Sequence, residues 1–371
     1  MRFYVAGGCC EYGCNCFLLE GKEYSVLVDC GAGTGGEERP PLLTEEQVSR
    51  VRYLFLTHSH RDHGGSLDWL WDQGFQGKIY LTAETEEQLG WQRASIHVLE
   101  INEPSNNQVV VDELLTATYG RSGHCLGSVW YLLEFEDKRI FFSGDYCEHS
   151  PVYQWDPASG TRCDLAVVDC AYGDEKEDGE GMRRKIQRRL EQAVWKENSL
   201  LLPAPAVGRG VDLLLLGMGC KKEVPVFADK KVIDQVKKLY QKRKWRRCGD
   251  RLLEQALECK DLDCWNGETG ILILSDPQLA AKESRKLAEQ VWERQGNIVF
   301  TGHVYEGTYG AQMRSTGKAE FLRYPVHMNW EEAQKFCKRN DFHKIVLNHC
   351  ASRIAGAEGT ICMKRGDGIE I

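Results

Sequence analysis

The 371-residue sequence has no apolar run of 18 or more residues, and its opening residues, Met1 to Tyr4, do not start a charged-then-apolar leader. A membrane-spanning helix needs about 20 mainly apolar residues, and a secretory signal needs an apolar stretch behind a positively charged start. These absences argue against a membrane protein and against a secreted one. We therefore expect a soluble, cytoplasmic protein.

The sequence also lacks the excess of positive charge that is typical of many nucleic-acid-binding proteins. Its formal net charge is -8 and its pI is near 5.8. The segment from Lys221 to Arg251 departs from this balance, with twelve Lys or Arg against four Asp or Glu. A solvated helix face and a phosphate-binding surface explain this basic segment equally well.

Sixteen cysteines without a secretory leader indicate reduced thiols and not a disulfide framework. The densest cluster, Cys9 to Cys16, lacks the C-x-x-C spacing of a metal site. We interpret these cysteines as small buried residues in a tight turn, with a separate thiolate cluster as the alternative.

The most informative stretch is Thr57 to Gly65, which contains three histidines and an aspartate in the pattern HxHxDH. The apolar run Val51 to Leu56 before it predicts a buried strand, and Ser66 to Trp71 after it predicts a helix start. Imidazole and carboxylate ligands at this spacing suit zinc, which keeps an open position for water in catalytic sites. His58 and His60 can face one ion, while Asp62 and His63 can face a second.

The HSHRDH stretch resembles the signature of the metallo-β-lactamase superfamily. The resemblance implies an α/β fold, an αββα sandwich in which two mixed sheets are flanked by helices and the metals lie at one sheet edge. It also implies that Asp29, at the end of the predicted strand from Ser25, hydrogen-bonds the metal loop without binding a metal.

Two later segments supply further ligand candidates. His124 lies in a turn that enters a long predicted strand, and Asp145 follows the apolar strand Ile140 to Phe142. A carboxylate at such a strand end can bridge two cations because each oxygen can take one. We therefore predict His124 as a ligand and Asp145 as the bridging ligand.

The sequences of these segments, GHCLGS and FFSGDY, resemble motifs of the β-CASP nucleases. This branch of the superfamily includes RNase J and the mRNA 3′-end-processing endonuclease. The turns PAPAVGRG and EGTYG resemble the entry and exit turns of that branch's inserted domain. The resemblance implies a first metallo-β-lactamase segment at 1–180, a small α/β insert at 181–315 and a return segment at 316–371.

The resemblance also implies the site residues. One zinc ion would be held by His58, His60, His124 and Asp145, and a second by Asp62, His63, Asp145 and His349, with manganese as an alternative metal. His327 would act on the leaving group together with Glu180, although Glu175 or Glu177 could be that acid. Asp62 joins the catalytic set as a ligand, and the substrate-binding candidates are Arg209, Gly307 and Thr308.

The implied activity is metal-dependent hydrolysis of phosphodiester bonds, with a bridging hydroxide that attacks phosphorus and leaves a 5′ phosphate. The expected partner is single-stranded RNA, with DNA as an alternative, and the expected assembly is a monomer or simple homodimer. A small-molecule hydrolase acting on a lactone, thioester or β-lactam is the second hypothesis. A non-catalytic scaffold is the third.

Two sequence positions depart from the resembled branch. Pro325-Val326-His327-Met328-Asn329 replaces a Ser-Ala-His-x-Asp pattern, and His349-Cys350-Ala351 replaces His-Gly-Glu. These departures leave the predicted ligands in place. They concern the choice of substrate and the groups that transfer protons.

Overall fold

The computed structural model describes residues 1–34, 39–91, 95–102, 107–220, 224–350 and 359–371. The chain divides into two units. The first contains Met1–Glu148, Gln154–Lys176 and His327–Ile371, and the second contains His149–Tyr153 and Glu177–Val326. The predicted insert, 181–315, lies within the second unit.

The chain up to residue 176 alternates strands with short helices. Its strands are β1 (Arg2–Gly7), β2 (Cys16–Glu20), β3 (Ser25–Val28), β4 (Val51–Phe55), β5 (Lys78–Thr82), β6 (Ile96–Leu99), β7 (Asn107–Val110), β8 (Leu115–Arg121), β9 (Val129–Phe135), β10 (Lys138–Phe142) and β11 (Arg162–Asp169). Its helices are α1 (Glu45–Arg50), α2 (Arg61–Gly64), α3 (Leu67–Asp72) and α4 (Ala83–Leu89).

The second unit and the return segment complete the chain. The second unit has helices α5 (Gly179–Trp195), α6 (Val211–Met218), α7 (Lys230–Gln241), α8 (Asp250–Leu257), α9 (Lys282–Glu293) and α10 (Tyr309–Ser315). Its strands are β12 (Leu200–Pro203), β13 (Val226–Ala228), β14 (Lys260–Asp261), β15 (Ile271–Leu274), β16 (Asn297–Phe300) and β17 (Glu320–Phe321). The return segment contains α11 (Trp330–Lys338), β18 (Asp341–Asn348), β19 (Thr360–Ile361) and β20 (Gly368–Glu370).

The first unit is built on two seven-stranded sheets. One has the order β20-β1-β2-β3-β4-β5-β6, and the other has the order β19-β18-β11-β10-β9-β8-β7. Their facing sides meet through aromatic contacts such as Phe17 with Phe142 and Phe55 with Tyr131. Strands of this kind, buried on both faces, read as continuous apolar runs and not as alternating patterns.

Helices cover the outer face of each sheet. Val48 of α1 and Leu67 and Leu70 of α3 belong to one core with the first sheet. Ala333 and Phe336 of α11 belong to another core with the second sheet. The layers are therefore helix, sheet, sheet and helix, which confirms the predicted αββα sandwich.

The second unit is a small α/β layer with a six-stranded sheet of order β14-β13-β15-β12-β16-β17. The recorded pairs of this sheet are parallel, from Leu200 with Ile271 to Phe300 with Phe321. The core strands β12 and β15 are apolar because parallel strands carry helices on both faces.

The first unit gathers several strand ends at one place. Parallel pairing aligns β10, β11 and β18, and it also aligns β3, β4 and β5. Residues that follow parallel strands meet at the carboxyl edge of a sheet, which is where α/β proteins carry their ligands. Among the described residues, no helix is both long enough and apolar enough to span a membrane.

Candidate metal centre

The histidine-rich loop leaves β4 at its carboxyl end and is held by the buried Asp29. Asp29 Oδ1 accepts a hydrogen bond from the Thr57 backbone N–H at 2.7 Å, and its Oδ2 lies 2.7 Å from His63 Nδ1. Asp29 adopts a left-handed backbone conformation, with φ of 59°. Its carboxylate thereby fixes which ring nitrogen His63 presents to the site.

The first ligand group consists of His58, His60, His124 and Asp145. His58 Nε2 and His124 Nε2 lie 3.1 Å and 3.2 Å from His60 Nδ1, and each is 3.3–3.4 Å from Asp145 Oδ2. Four ligands around one zinc ion at 2.0–2.1 Å are spaced by about 3.3 Å. The donor atoms therefore have the spacing of a tetrahedral metal site.

The second ligand group consists of Asp62, His63 and His349. His349 Nε2 lies 3.0 Å from Asp62 Oδ2, and His63 Nε2 lies 3.9 Å from the same oxygen. Asp145 also reaches this group, because its Oδ1 is 3.1 Å from His63 Nε2 and 3.7 Å from His349 Nε2. One oxygen of Asp145 thus faces each group, which is the arrangement of a bridging ligand.

Burial keeps the first group's imidazoles neutral. Burial and the neighbouring His63 lower the pKa of His58 to about 3, even though Asp145 favours protonation. Burial likewise holds the pKa of His124 well below its ordinary value. A metal binds the neutral imidazole, so these two side chains are already in the ligand form at neutral pH.

The second group is charged differently. Burial is the largest single influence on His63 and His349 and opposes their protonation, but the nearby carboxylates together outweigh it, and Asp145 is the strongest of these carboxylates for both. The pKa of His63 is raised well above its ordinary value, and that of His349 rises to about 9. The same pairings outweigh burial of Asp145 and hold its pKa well below its usual range.

His327 lies beside both groups. Its ring centroid is 4.7 Å from that of His124 and 5.2 Å from that of His349. Its Nδ1 lies 3.1 Å from Oδ2 of Asp169, the last residue of β11. Asp145, Asp169 and His327 also lie close enough to hold a cation, and the hydrogen bond between the last two accounts for their proximity.

Asp169 is the acid that the sequence interpretation missed. It is fully buried, and it accepts hydrogen bonds from the backbone N–H groups of Tyr146 and Ala171 at 3.0 Å. Those two bonds orient its carboxylate, and they leave Oδ2 facing His327. The available signal was its position, because it ends the apolar strand immediately before the Tyr172-Gly173 turn.

The acids predicted as partners of His327 lie on the loop and helix after that turn. Glu180 stands in the first turn of α5, where its exposed side chain pairs with Arg184 at 2.5 Å. Glu177 pairs with Lys185, and Glu175 is partly exposed. The carboxylate that the structure bonds to His327 is Asp169, which β11 brings to the sheet edge. The roles of Glu180, Glu175 and Glu177 stay predictions.

Cysteines close to the site are packed as protonated thiols. The Cys350 thiol, through a hydrogen bond, and burial raise the pKa of the Cys170 thiol far above its ordinary value. The described cysteines form no disulfide with one another. Thiols of this kind are poor metal ligands because the thiolate is the binding form.

Arg209 lies in the glycine-rich turn that follows β12. The turn is made possible by Gly208, whose φ is 80°. Arg209 Nη1 donates toward the Thr301 carbonyl at 3.5 Å, and a Cβ on Gly302 would come within 2.1 Å of that nitrogen. The bare backbone of Gly302 thus makes room for the guanidinium at the carboxyl ends of β12 and β16.

Gly307 and Thr308 have local structural roles. Gly307 has a φ of 76°, a conformation that favours glycine. Thr308 begins α10, because its Oγ1 accepts a hydrogen bond from the Ala311 backbone N–H at 3.2 Å. These roles explain both residues within the exit turn, and contact with a substrate stays a prediction.

Much of the basic segment is neutralised locally. Lys230 lies 3.5 Å from Asp261, Lys237 lies 3.0 Å from Asp234, and Asp250 pairs with both Arg243 and Arg246. Lys221, Lys222 and Glu223 lie outside the described residues. The described part of this segment therefore carries less uncompensated charge than its composition indicates.

Comparison with known families bears on this site. A sequence model described as the metallo-beta-lactamase superfamily matches residues 11–183. That range contains both ligand groups except His349, and the observed sandwich is the fold expected from the resemblance. The match covers the first part of the chain, and the ligand groups and the two-sheet sandwich agree with it.

Curated relatives extend the match across the second unit. "Endoribonuclease YSH1" of Eremothecium gossypii is 23% identical over 96% of this chain and 55% of its own length. "Transcription termination factor FttA" of Methanosarcina mazei is 24% identical over 62% of the chain and 42% of its own length. "Cleavage and polyadenylation specificity factor 73" of Drosophila melanogaster is 20% identical over 91% of this chain and 58% of its own length. The chain spans about half the length of these relatives.

A solved structure shares the fold of this chain along nearly its whole length. It is described as a protein of unknown function from Enterococcus faecalis V583. The match has a TM-score of 0.60 and 12% identity, and it covers 99% of each chain. At this identity the likeness concerns the fold alone.

Proposed function

We propose that this protein is a metal-dependent phosphodiesterase that cleaves RNA, with DNA as the alternative substrate, and leaves a 5′ phosphate. The observation that carries the proposal is the pair His327 and Asp169 beside the two ligand groups. A dinuclear site by itself supports only hydrolysis. A histidine with its own buried carboxylate next to that site supports proton transfer to a leaving oxygen.

The ligand set supports two divalent cations, zinc or manganese. His58, His60, His124 and Asp145 would hold one, and Asp62, His63, Asp145 and His349 would hold the other. Such a pair supplies an activated water and positive charge for a phosphoryl group. The ligand types alone do not separate the two metals, because imidazole and carboxylate bind both.

The chain's own groups divide the remaining work. Asp29 holds His63 in one tautomer, and its hydrogen bond to the Thr57 backbone N–H fixes the histidine-rich loop against the end of β3. Asp169 accepts from His327 Nδ1, so the opposite ring nitrogen, Nε2, can give a proton to the departing oxygen. Asp145, buried and ionised, fixes the spacing of the two groups.

The choice of nucleic acid as substrate class rests on the relatives. Their printed names describe an endoribonuclease, a cleavage and polyadenylation factor and a transcription termination factor. The second unit of this chain aligns with them, and its Arg209 is a candidate for a backbone phosphate. Each of those activities belongs to a protein about twice as long, so the transfer to this chain is part of the proposal.

Cleavage of end-labelled single-stranded RNA and DNA by the zinc- or manganese-loaded protein tests the proposal. We expect cut products with a 5′ phosphate, and we expect His327→Ala to lose most activity while it still binds two ions per chain. His343→Ala is the matched control, because His343 is an exposed histidine on β18 outside the ligand groups. Metal-loaded protein that cleaves neither RNA nor DNA would contradict the proposal.

The same variants separate the small-molecule alternative. A lactone, thioester or β-lactam has no leaving 3′ oxygen of a nucleotide, so hydrolysis of such a compound should not depend on His327. Equal activity of the wild type and His327→Ala on one of these compounds, without nuclease activity, would favour that alternative.

A further inference from the structure

The loop that joins β1 to β2 contains the first cysteine cluster and is not explained by the metal centre. Among the described residues, the groups spaced for a metal ion include no cysteine. Burial raises the pKa of the Cys9 thiol well above its ordinary value and that of Cys14 to about 11. These thiols are therefore packed neutral groups, and the purpose of the loop lies elsewhere.

The backbone of this loop, residues 8–15, is held in an unusual shape. Gly8, Cys10, Gly13 and Cys14 all have positive φ, between 57° and 96°. Left-handed backbone is unfavourable for a residue with a Cβ, so the values at Cys10 and Cys14 indicate strain that other contacts must maintain. Strain of this kind is concentrated at binding sites, where a fixed geometry is needed.

Contacts inside the first unit maintain that shape. Cys14 N–H donates to the Ala32 carbonyl at 2.9 Å, and Glu11 forms an ion pair with Arg39. Glu11 Oε1 also accepts from the Gly8 N–H at 3.1 Å. These hydrogen bonds and this ion pair restrain the loop at both ends, so its conformation is fixed.

The same loop is bonded directly to the second ligand group. Gly8 accepts a hydrogen bond from the backbone N–H of His349 at 2.9 Å, and Asn15 N–H donates to the Asp62 carbonyl at 2.8 Å. The side-chain amide nitrogen of Asn15 lies 2.9 Å from His63 Nε2. The position of the loop is therefore fixed relative to Asp62, His63 and His349.

Tyr12 stands at the middle of this braced loop. It is half-buried, and its ring centroid is 6.4 Å from that of His349 with a tilt of 56°. Its backbone carbonyl accepts a hydrogen bond from Thr34 Oγ1 at 3.1 Å. A partly exposed aromatic ring is thereby presented beside a ligand of the second group.

We propose that Tyr12 forms a nucleobase subsite, in which the base next to the cleaved phosphodiester stacks on the tyrosine ring. The inference rests on the proposed nuclease function. Every base has an aromatic face, so a ring at this place holds a nucleotide without selecting its sequence. The restrained loop also favours affinity, because a preorganised ring loses little conformational freedom when the base binds.

A fluorescence experiment tests the subsite independently of cleavage. Single-stranded RNA with 2-aminopurine at one defined position is bound to the metal-loaded full chain that carries His327→Ala. We expect quenching at one position of the RNA with Tyr12 and with Tyr12→Phe, because both rings stack. Tyr12→Leu should abolish that quenching and weaken binding about 5- to 100-fold.

An abasic substrate provides the matched control. In the otherwise unaltered protein, Tyr12→Leu should raise the KM for normal RNA and leave kinetics unchanged on RNA that lacks the base at the quenched position. Equal losses on both substrates, a loss of bound metal in Tyr12→Leu, or quenching that persists without the ring would each overturn the subsite. So would a loaded protein that binds no RNA.

The outcomes also separate the subsite from the proposed function. Ring-dependent quenching without any cleavage by the wild type would support the subsite and reject the nuclease. Cleavage of RNA with no ring-dependent quenching would reject the subsite and leave the nuclease intact.

Discussion

In the proposed mechanism, Asp169 is the residue on which the proton-transfer step depends most directly. Asp169→Asn keeps the volume of the side chain but removes the charge that orients and polarises His327. We expect kcat for RNA cleavage to fall by about 10²- to 10⁴-fold, the range found for a positioned acid or base. Single-turnover cleavage under saturating metal measures this loss.

The control for this prediction is Glu180→Gln. Glu180 is exposed and paired with Arg184, so this variant should cleave RNA at close to the wild-type rate. Both variants should bind two ions per chain. A large loss of kcat in Glu180→Gln and no loss in Asp169→Asn would contradict the role of Asp169 and would instead identify Glu180, the acid predicted from sequence, as the partner of His327.

If His349 is a metal ligand as proposed, its protonation should make metal binding depend on pH. Its pKa is about 9 in the metal-free protein because Asp145 and Asp62 outweigh burial, so it holds a proton at neutral pH that a cation must displace. Affinity for the second ion should rise about tenfold per pH unit for each displaced proton, between pH 6.5 and 8.5. Zinc titrations against a competing chelator at three pH values measure the change.

The first ligand group serves as the internal control. His58 has a pKa of about 3, so it has no proton to lose over this range. Affinity for the first ion should therefore change less with pH than affinity for the second. Parallel pH dependence of both ions would contradict the assignment of charge to the two groups.

At the scale of the element, helix α6 carries a buried acid in its first turn. Burial raises the pKa of Asp212 to about 7, against a hydrogen bond from Tyr324 and the charges of Arg183 and Arg209. Tyr324 Oη donates to Asp212 Oδ1 at 3.2 Å. The folded chain therefore keeps this proton at pH values where the unfolded chain has released it.

The sign of the pH effect follows from that difference. The stability that the protonated carboxyl contributes is full below about pH 4 and is lost as the pH rises through about 7. Asp212→Asn stays neutral, so at pH 8 its free energy of unfolding should exceed that of the wild type by an amount on the order of 3 kcal/mol. Urea unfolding at pH 5 and pH 8 measures it, and an advantage that is the same at both pH values would speak against the shift.

At the scale of the whole molecule, the metal centre links strand ends that are far apart in sequence. Its ligands come from the loops after β4, β8, β10 and β18, so bound ions should stabilise the first unit as a whole. Each ion at a hundredfold excess over its Kd contributes about 3 kcal/mol. Removal of both ions with a chelator should lower the Tm by several degrees.

Calorimetry with and without chelator measures this shift, and hydrogen exchange locates it. Exchange should increase in the loop 57–65 and at residues 123–128 and 145–148, all within the first unit. A Tm that does not respond to the chelator, in protein shown to contain metal beforehand, would contradict this prediction.

Local sequence was sufficient for much of the fold and for most of the candidate site residues. The apolar strands β4, β10 and β18 were readable because buried parallel strands are continuous apolar runs. The HxHxDH loop was readable because its ligands lie within six residues of one another. His124, Asp145 and His349 could be added because each follows a strand or turn signal.

The sequence by itself predicted the resemblance to the metallo-β-lactamase superfamily, the αββα layers and the residue types of a candidate metal centre, because these depend on short-range patterns. Only the tertiary structure showed which carboxylate lies against His327, because parallel pairing of β11 with β10 and β18 brings Asp169 to the same edge. It also fixed the position of the loop after β1. Four positive-φ residues and its bonds to Asp62, His63 and His349 place Tyr12 beside the metal centre, and no local pattern encodes that contact.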